Sequence, residues 1–232
     1  MKSETGSDIK NNRRERIVLL LGLLFSFALY SITNQLGYLR YSEALILKWP
    51  LDDHLPLLPV FVIPYFYWFL QVGFSVILLM ATRYGKAYYR VYAVTMISAM
   101  IAANLVFIIL PTHVPRPELT GEGIFYLLLK TIYRFDQPYN CFPSLHAAIA
   151  TINAAFCWLV IKDFKIRMGI VQYSIAGFVN FSGWVLICLS TVFTGQHYLP
   201  DLLGGILLAA FCLLAAIIAN RNRKSFRTAD FQ

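Results

Sequence analysis

The sequence predicts an all-α integral membrane bundle of six transmembrane helices with both termini in the cytoplasm. Three observations carry this. The 232 residues are 58% hydrophobic and only 14% charged, against roughly 45–50% and about 25% in soluble domains. The apolar residues are gathered into long runs separated by short basic patches, the pattern of membrane spans and not of one large soluble core. The basic residues also fall unevenly on the two sides of the resulting topology.

The first run opens near Ile17, after a polar segment carrying Lys10, Arg13, Arg14 and Arg16. A signal peptide has a shorter apolar region ending at a small-residue cleavage site. The run from Ile17 to Thr33 has neither feature and reads as a retained span over 17–34. Further runs follow at 60–82, 90–111, 143–161, 169–192 and 201–219, each close to the ~20 residues a helix needs to cross the hydrocarbon. Helices are required because lipid offers no partner to free backbone groups. The chain thus divides into a polar cytoplasmic segment at 1–16, a six-helix membrane domain at 17–219 and a basic cytoplasmic tail at 220–232.

With the amino terminus inside, the cytoplasmic side holds fifteen lysines and arginines: Lys2, Lys10, Arg13, Arg14, Arg16, Arg83, Lys86, Arg90, Lys162, Lys165, Arg167, Arg221, Arg223, Lys224 and Arg227. The other side keeps five: Arg40, Lys48, Arg116, Lys130 and Arg134. This is the positive-inside bias of a multi-pass protein. The net charge of +8 forms no continuous basic stripe, so no nucleic-acid partner is expected. The cysteines show no disulfide framework: Cys157, Cys188 and Cys212 lie in apolar runs and only Cys141 lies in a loop.

The outer loops carry the polar chemistry. The stretch from Gln35 to Pro59 mixes Tyr38, Tyr41 and Trp49 with charges and reads as interfacial. The stretch from Pro111 to Phe142 is long enough to be functional. All four histidines fall in or beside these loops. His54 and His113 read as interfacial or packing residues. His146 and His197 differ in their surroundings, Pro143-Ser144-Leu145-His146 and Gly195-Gln196-His197-Tyr198-Leu199-Pro200-Asp201. Each motif sits where a helix begins at the outer surface, with Pro143 and Pro200 placed for the first turn. Such termini are anion sites.

His197 and Asp201 are four apart, on one helix face. A carboxylate on one ring nitrogen fixes the tautomer and leaves the other nitrogen as nucleophile. His146 is placed to protonate a leaving alcohol, and Ser144 offers a hydroxyl and a backbone donor to phosphate oxygens. The bland alternative is that Asp201 caps its helix and His197 bonds a carbonyl.

These motifs resemble the type 2 phosphatidic acid phosphatase superfamily. Pro143-Ser144-Leu145-His146 is similar to its second signature, and Ser190, His197 and Asp201 match its third. The resemblance implies a six-helix core with the site on the outer face, His197 as the phosphohistidine-forming nucleophile, Asp201 as its orienting partner and His146 as general acid. It covers about Pro111 to Gly205. Two positions depart from it: Thr191 stands where the third signature has arginine. Arg116-Pro117 fits the end of the first signature, but Ile109 stands at its lysine. Arg116 with Lys130 and Arg134 are the candidates for phosphate-binding charge. The departures, His197-Tyr198 and the stretch Leu55–Tyr67 resemble the branch of inositol phosphorylceramide and sphingomyelin synthases, which transfer phospho-headgroups between lipids.

The expected function is hydrolysis of a lipid phosphate ester through phosphohistidine, without cofactor or metal. The alternative is headgroup transfer between lipids at the same site. A serine hydrolase using Ser144 or Ser182 and a non-enzymatic transporter are the other readings. A transporter should place charge near the bilayer midplane, whereas here the polar groups gather at one surface. The expected setting is a bacterial inner membrane with the site facing the periplasm or exterior, among membrane lipids. The sequence leaves the oligomeric state open.

Overall fold

A computed structural model describes residues 6–165 and 169–229. Lys2 and Arg167, counted above for orientation, lie outside the described residues, as do the first five and last three positions of the two terminal segments. Seven α-helices are described: α1 Gly6–Leu39, α2 Val62–Ala81, α3 Arg83–Ile109, α4 Ile124–Phe135, α5 Leu145–Phe164, α6 Ile170–Phe193 and α7 Leu199–Ala229. Six of them contain stretches long and apolar enough to cross a membrane. The protein is a multi-pass α-helical membrane protein.

The six expected spans are present, the first of them longer than expected and the others shifted by a few residues. The first runs Arg13–Leu39 and the fourth Leu145–Phe164. α4 is the element that hydropathy alone did not reveal. It is a 12-residue helix, too short to span, within the long loop between α3 and α5.

α3 and α5 form the centre of the bundle. Their spans are 50% and 56% buried, against 17% for α1 and 22% for α7. Sequence explains the difference: Ala93, Ala99 and Ala103 on α3 and Ala147, Ala148 and Ala150 on α5 are all inaccessible. Small residues let helices approach closely where apolar burial alone provides no drive in lipid. Polar pairs lock the contacts. Tyr92 donates to Asn153 Oδ1 at 3.0 Å, and the Thr33 hydroxyl joins Asn104 at 2.6 Å to Asn140 at 3.2 Å.

The α1–α2, α3–α5 and α6–α7 connections gather at one end and are stitched together there. Leu45 N–H bonds Pro111 O (2.9 Å), His113 N–H bonds Leu45 O (3.0 Å), Val114 N–H bonds Pro138 O (3.1 Å) and Leu58 N–H bonds Phe193 O (2.8 Å). The expected interfacial segment is therefore an ordered cap made of extended backbone and short 3-10 turns at Tyr41–Glu43, Pro50–His54 and Pro59–Phe61. His113 is buried in this cap, its ring 4.6 Å from that of Tyr41. The packing reading of His113 fits this position.

Candidate active site

The tips of α5 and α7 meet. Ser144 is the N-cap of α5, its side-chain oxygen accepting the Ala147 N–H at 3.4 Å. Its own N–H bonds the carbonyl of Asp201 in the first turn of α7, at 2.9 Å. Gly204 and Gly205 permit this approach. A Cβ at Gly205 would stand 2.2 Å from the Ser144 carbonyl oxygen, and one at Gly204 would stand 2.5 Å from the Phe142 ring. Pro200 lies in the first turn as expected. Pro143 does not: it precedes the N-cap, because the helix starts only at Leu145. His146 is accordingly the second helical residue of α5.

The segment carrying His197 is held from four sides. Thr191 O accepts the N–H groups of Gln196 (2.9 Å) and His197 (3.0 Å). Arg116 Nη1 donates to Gly195 O at 2.8 Å, and the Tyr133 hydroxyl donates to Thr194 O at 2.7 Å. Asp52 Oδ1 accepts the Leu199 N–H at 2.9 Å, at the positive end of α7. Gly195 has φ +66°, where a side chain would be strained. Burial pushes the Tyr133 hydroxyl up to about 12 against the pull of Arg116, so it remains a donor at working pH.

His146 and His197 face each other, ring centroids 5.7 Å apart. His197 Nδ1 is 3.5 Å from Asp201 Oδ2. The same oxygen accepts the Tyr198 N–H at 3.0 Å, so Asp201 caps its helix and also neighbours His197, whose Nδ1 is buried and makes no hydrogen bond to a carbonyl. With Nδ1 turned to Asp201, Nε2 of His197 is the nitrogen left for substrate. On the α5 side, the N–H groups of Leu145 and His146 have no hydrogen-bond partner among the described residues, as expected at a helix start.

A cavity of about 540 Å³ opens beneath the histidines. His146, His197, Asp136 and Asn140 mark its polar end, and Phe27, Val72, Met100 and Ile149 line it further along their helices. Trp68 lies tilted against His146 with centroids 4.6 Å apart. Its Nε1–H is buried without a protein partner.

The sequence-predicted residues divide. His146, His197 and Asp201 come together, with Arg116 behind the His197 loop. The Arg116 terminal nitrogens bond the carbonyls of Gly195 and Asp136 (2.8 and 3.1 Å), and its guanidinium lies 5.1 Å from the Tyr133 ring centre. Ser144, Lys130 and Arg134 do not line the cavity. Ser144 is fully buried, its N–H engaged with Asp201 O in the α5–α7 joint and its side-chain oxygen capping α5 at Ala147 N–H. Lys130 and Arg134 are exposed on α4, whose cavity-facing positions are Thr131, Ile132 and Phe135. The departures from the signatures also have places. Thr191 is fully buried and turned to Cys188 O (2.8 Å), whereas Ile109 is 78% exposed. Among the described residues, no group of three or more His, Cys, Asp or Glu is placed to share a metal ion.

Asp136 was not singled out from the sequence. It receives the hydroxyls of Tyr30 (3.2 Å) and Tyr65 (2.5 Å), and its Oδ2 lies 3.8 Å from His146 Nε2. Burial pushes its carboxyl up, but His146, Arg116, the Tyr65 hydrogen bond and His197 together outweigh burial and hold it below the usual range.

The PAP2 superfamily profile matches residues 68–225, well over half of the chain and including both histidine motifs. The chain belongs to the PAP2 superfamily. Members of this superfamily are phosphatases and phosphotransferases, so the paired histidines of this PAP2 protein lie within a phosphoryl-transfer fold. No curated protein and no solved structure matches the chain.

Proposed function

We propose that this PAP2 protein is a lipid phosphatase that cleaves a phosphate ester on the non-cytoplasmic face of the membrane through a phosphohistidine at His197. The observation that carries the reading is the facing pair of imidazoles, 5.7 Å apart, at the mouth of a cavity with apolar walls. A phosphoryl group on His197 Nε2 would lie beside the His146 ring, with an acyl chain along Phe27, Val72, Met100 and Ile149.

In this reading Nε2 of His197 attacks phosphorus and the ester P–O bond breaks. The leaving alcohol takes its proton from His146. Water then attacks phosphorus, giving a proton to His146 as the new O–P bond forms and the P–N bond breaks, and phosphate departs with His197 restored. Asp201 stays ionised and holds the His197 tautomer. Phosphoryl transfer is mainly positioning and positive charge. The free N–H groups of Leu145 and His146, the dipole of α5 and Arg116 behind the loop supply these here. Lys130 and Arg134, exposed on α4, contribute at most long-range attraction of an anionic headgroup, and Ser144 acts through the helix joint.

The fifteen-to-five distribution of basic residues supports the orientation, with the loop cap outside. A bacterial inner membrane with the site facing the periplasm is the proposed setting. One observation favours headgroup transfer as a second reading: neither Ile109 nor Thr191 supplies the cation its signature position carries, so a phosphodiester with one negative charge suits the site as well as a monoester dianion.

The test incubates the purified protein with lipid phosphates, with and without acceptor alcohols, and follows free phosphate and headgroup-exchanged lipid. Both products disappear in His197→Ala while the protein still accumulates, and an acid-labile phosphoryl group is trapped on the wild-type chain. Normal turnover by His197→Ala refutes the assignment.

A further inference from the structure

The His197–Asp201 pair accounts for one imidazole. The other has a carboxylate of its own. His146 is packed against the rings of Tyr65 and Trp68, with centroids 5.0 and 4.6 Å away, in a cavity with apolar walls. An imidazolium formed there loses hydration and needs a counter-charge within about 4–6 Å. Asp136 Oδ2, at 3.8 Å from His146 Nε2, is at that distance.

The fixing of Asp136 is what sets it apart from a chance neighbour. It ends α4, its N–H bonded to Ile132 O at 2.8 Å. Its backbone carbonyl accepts Arg116 Nη2 at 3.1 Å. The guanidinium therefore holds the main chain and makes no hydrogen bond to the carboxylate. The carboxylate instead accepts Tyr30 from α1 on Oδ1 and Tyr65 from α2 on Oδ2. The charged and titratable groups around it are these two tyrosines, Arg116, His146, His197 and the buried thiol of Cys141. Three helices and a loop converge to aim one carboxylate at one imidazole.

We propose that Asp136 is the positioning residue of His146: braced by Tyr30 and Tyr65, its carboxylate holds the imidazolium that protonates the leaving alcohol. The site then works with two histidine–aspartate pairs, one for the nucleophile and one for the acid. The proton moves from His146 to the ester oxygen as the P–O bond breaks, and returns to His146 from the attacking water. Asp136 remains ionised throughout. This inference rests on the phosphohistidine reading above.

General acid catalysis matters in proportion to how poor the leaving group is, which gives a readout that loss of packing does not reproduce. Asp136→Asn keeps the shape and removes the charge. Its kcat/KM on dodecyl phosphate, which reports only the step that breaks the ester bond and whose alkoxide must be protonated there, is expected to fall about 10²-fold, within the usual range for a general acid. On para-nitrophenyl phosphate, whose phenolate leaves unaided, the loss is at least tenfold smaller. Equal losses of kcat/KM on the two esters, or wild-type kcat/KM on both, overturn the proposal. His197→Ala is the second arm: activity retained there sinks the phosphohistidine reading, whereas equal losses in Asp136→Asn beside an inactive His197→Ala sink only the role of Asp136. If Asp136→Asn does not accumulate, Tyr65→Phe carries the test. It is expected to show the same ester-selective loss at about tenfold on the alkyl ester, and an unselective loss overturns the proposal.

Discussion

Gly205→Ala is the sharpest test of the joint that brings the two histidines together, because two physical effects predict opposite signs. Alanine is the better helix former by about 0.5–1 kcal/mol, so propensity alone predicts a more stable α7. Packing predicts the reverse. The new Cβ would lie 2.2 Å from the Ser144 carbonyl oxygen and 3.0 Å from Ala147 Cβ. The first of these is backbone at the start of α5 and cannot rotate away. To reach even a tight contact of 3.0 Å or more, the helix tips must part by about 1 Å. That movement stretches the 2.9 Å bond from Ser144 N–H to Asp201 O beyond hydrogen-bond range. Overpacking costs about 1–3 kcal/mol and the lost bond about 1 kcal/mol, which together exceed the propensity gain. The catalytic effect is larger in proportion, since misplacement by about 1 Å costs about 10²-fold in rate. The expected result is a thermal midpoint below wild type in detergent and kcat on a lipid phosphate lowered about 10²-fold. Gly73→Ala is the control: it sits inside α2, its Cβ meets nothing within 4 Å, and it should be neutral or slightly stabilising. Wild-type stability and turnover in Gly205→Ala would refute the claim that this contact sets the distance between His146 and His197.

Asp201→Asn should reduce kcat by more than tenfold with the protein still folded, because the amide retains the cap on Tyr198 N–H while losing the charge beside His197; phosphate release measures it. Asp52→Ala removes the acceptor for Leu199 N–H and should cost about 1 kcal/mol, as N-cap losses do, read as a lowered thermal midpoint. Ile109→Lys restores the signature cation on an outward-facing position and should change turnover less than twofold. For pH, the Asp136 carboxyl is held below its ordinary value when folded. Its stabilising contribution is therefore complete above about pH 4, the unfolded value, and is lost as pH falls through the lower folded value. Thermal unfolding of wild type should weaken in that acid window, and Asp136→Asn should flatten the loss.

The six spans were legible because bilayer thickness imposes a length and hydropathy imposes a composition, and neither depends on knowing the neighbours. His146 and His197 were legible for a related reason. Each sits in a short motif whose spacing has local meaning: a helix start, and a histidine and aspartate one turn apart. The cap around them was less so. α4 carries Lys130 and Arg134 among apolar residues and is only 12 residues long, so its helical character was hidden inside a long polar loop. The assignment of phosphate-binding charge to those two residues followed from composition, and composition does not say which face of α4 meets the cavity.

Asp136 shows why the remainder needed coordinates. Nothing adjacent to it in sequence marks it: Phe135 and Gln137 flank it, and no motif includes it. Its setting comes from Tyr30, 106 residues away, and Tyr65, 71 residues away, together with a guanidinium that serves its backbone. A carboxylate at the rim of an apolar cavity is costly unless it is hydrogen-bonded and near positive charge. Tyr30 and Tyr65 supply the hydrogen bonds and Arg116 supplies charge at all times. Arg116 alone, however, would have been placed on the carboxylate if neutralising it were the whole purpose. The Oδ2 of Asp136, which also accepts the Tyr65 hydroxyl, faces an imidazole instead. The electrostatic complement of that arrangement is a histidine that carries charge during part of its cycle, which is the behaviour of an acid–base catalyst and not of a static ion pair.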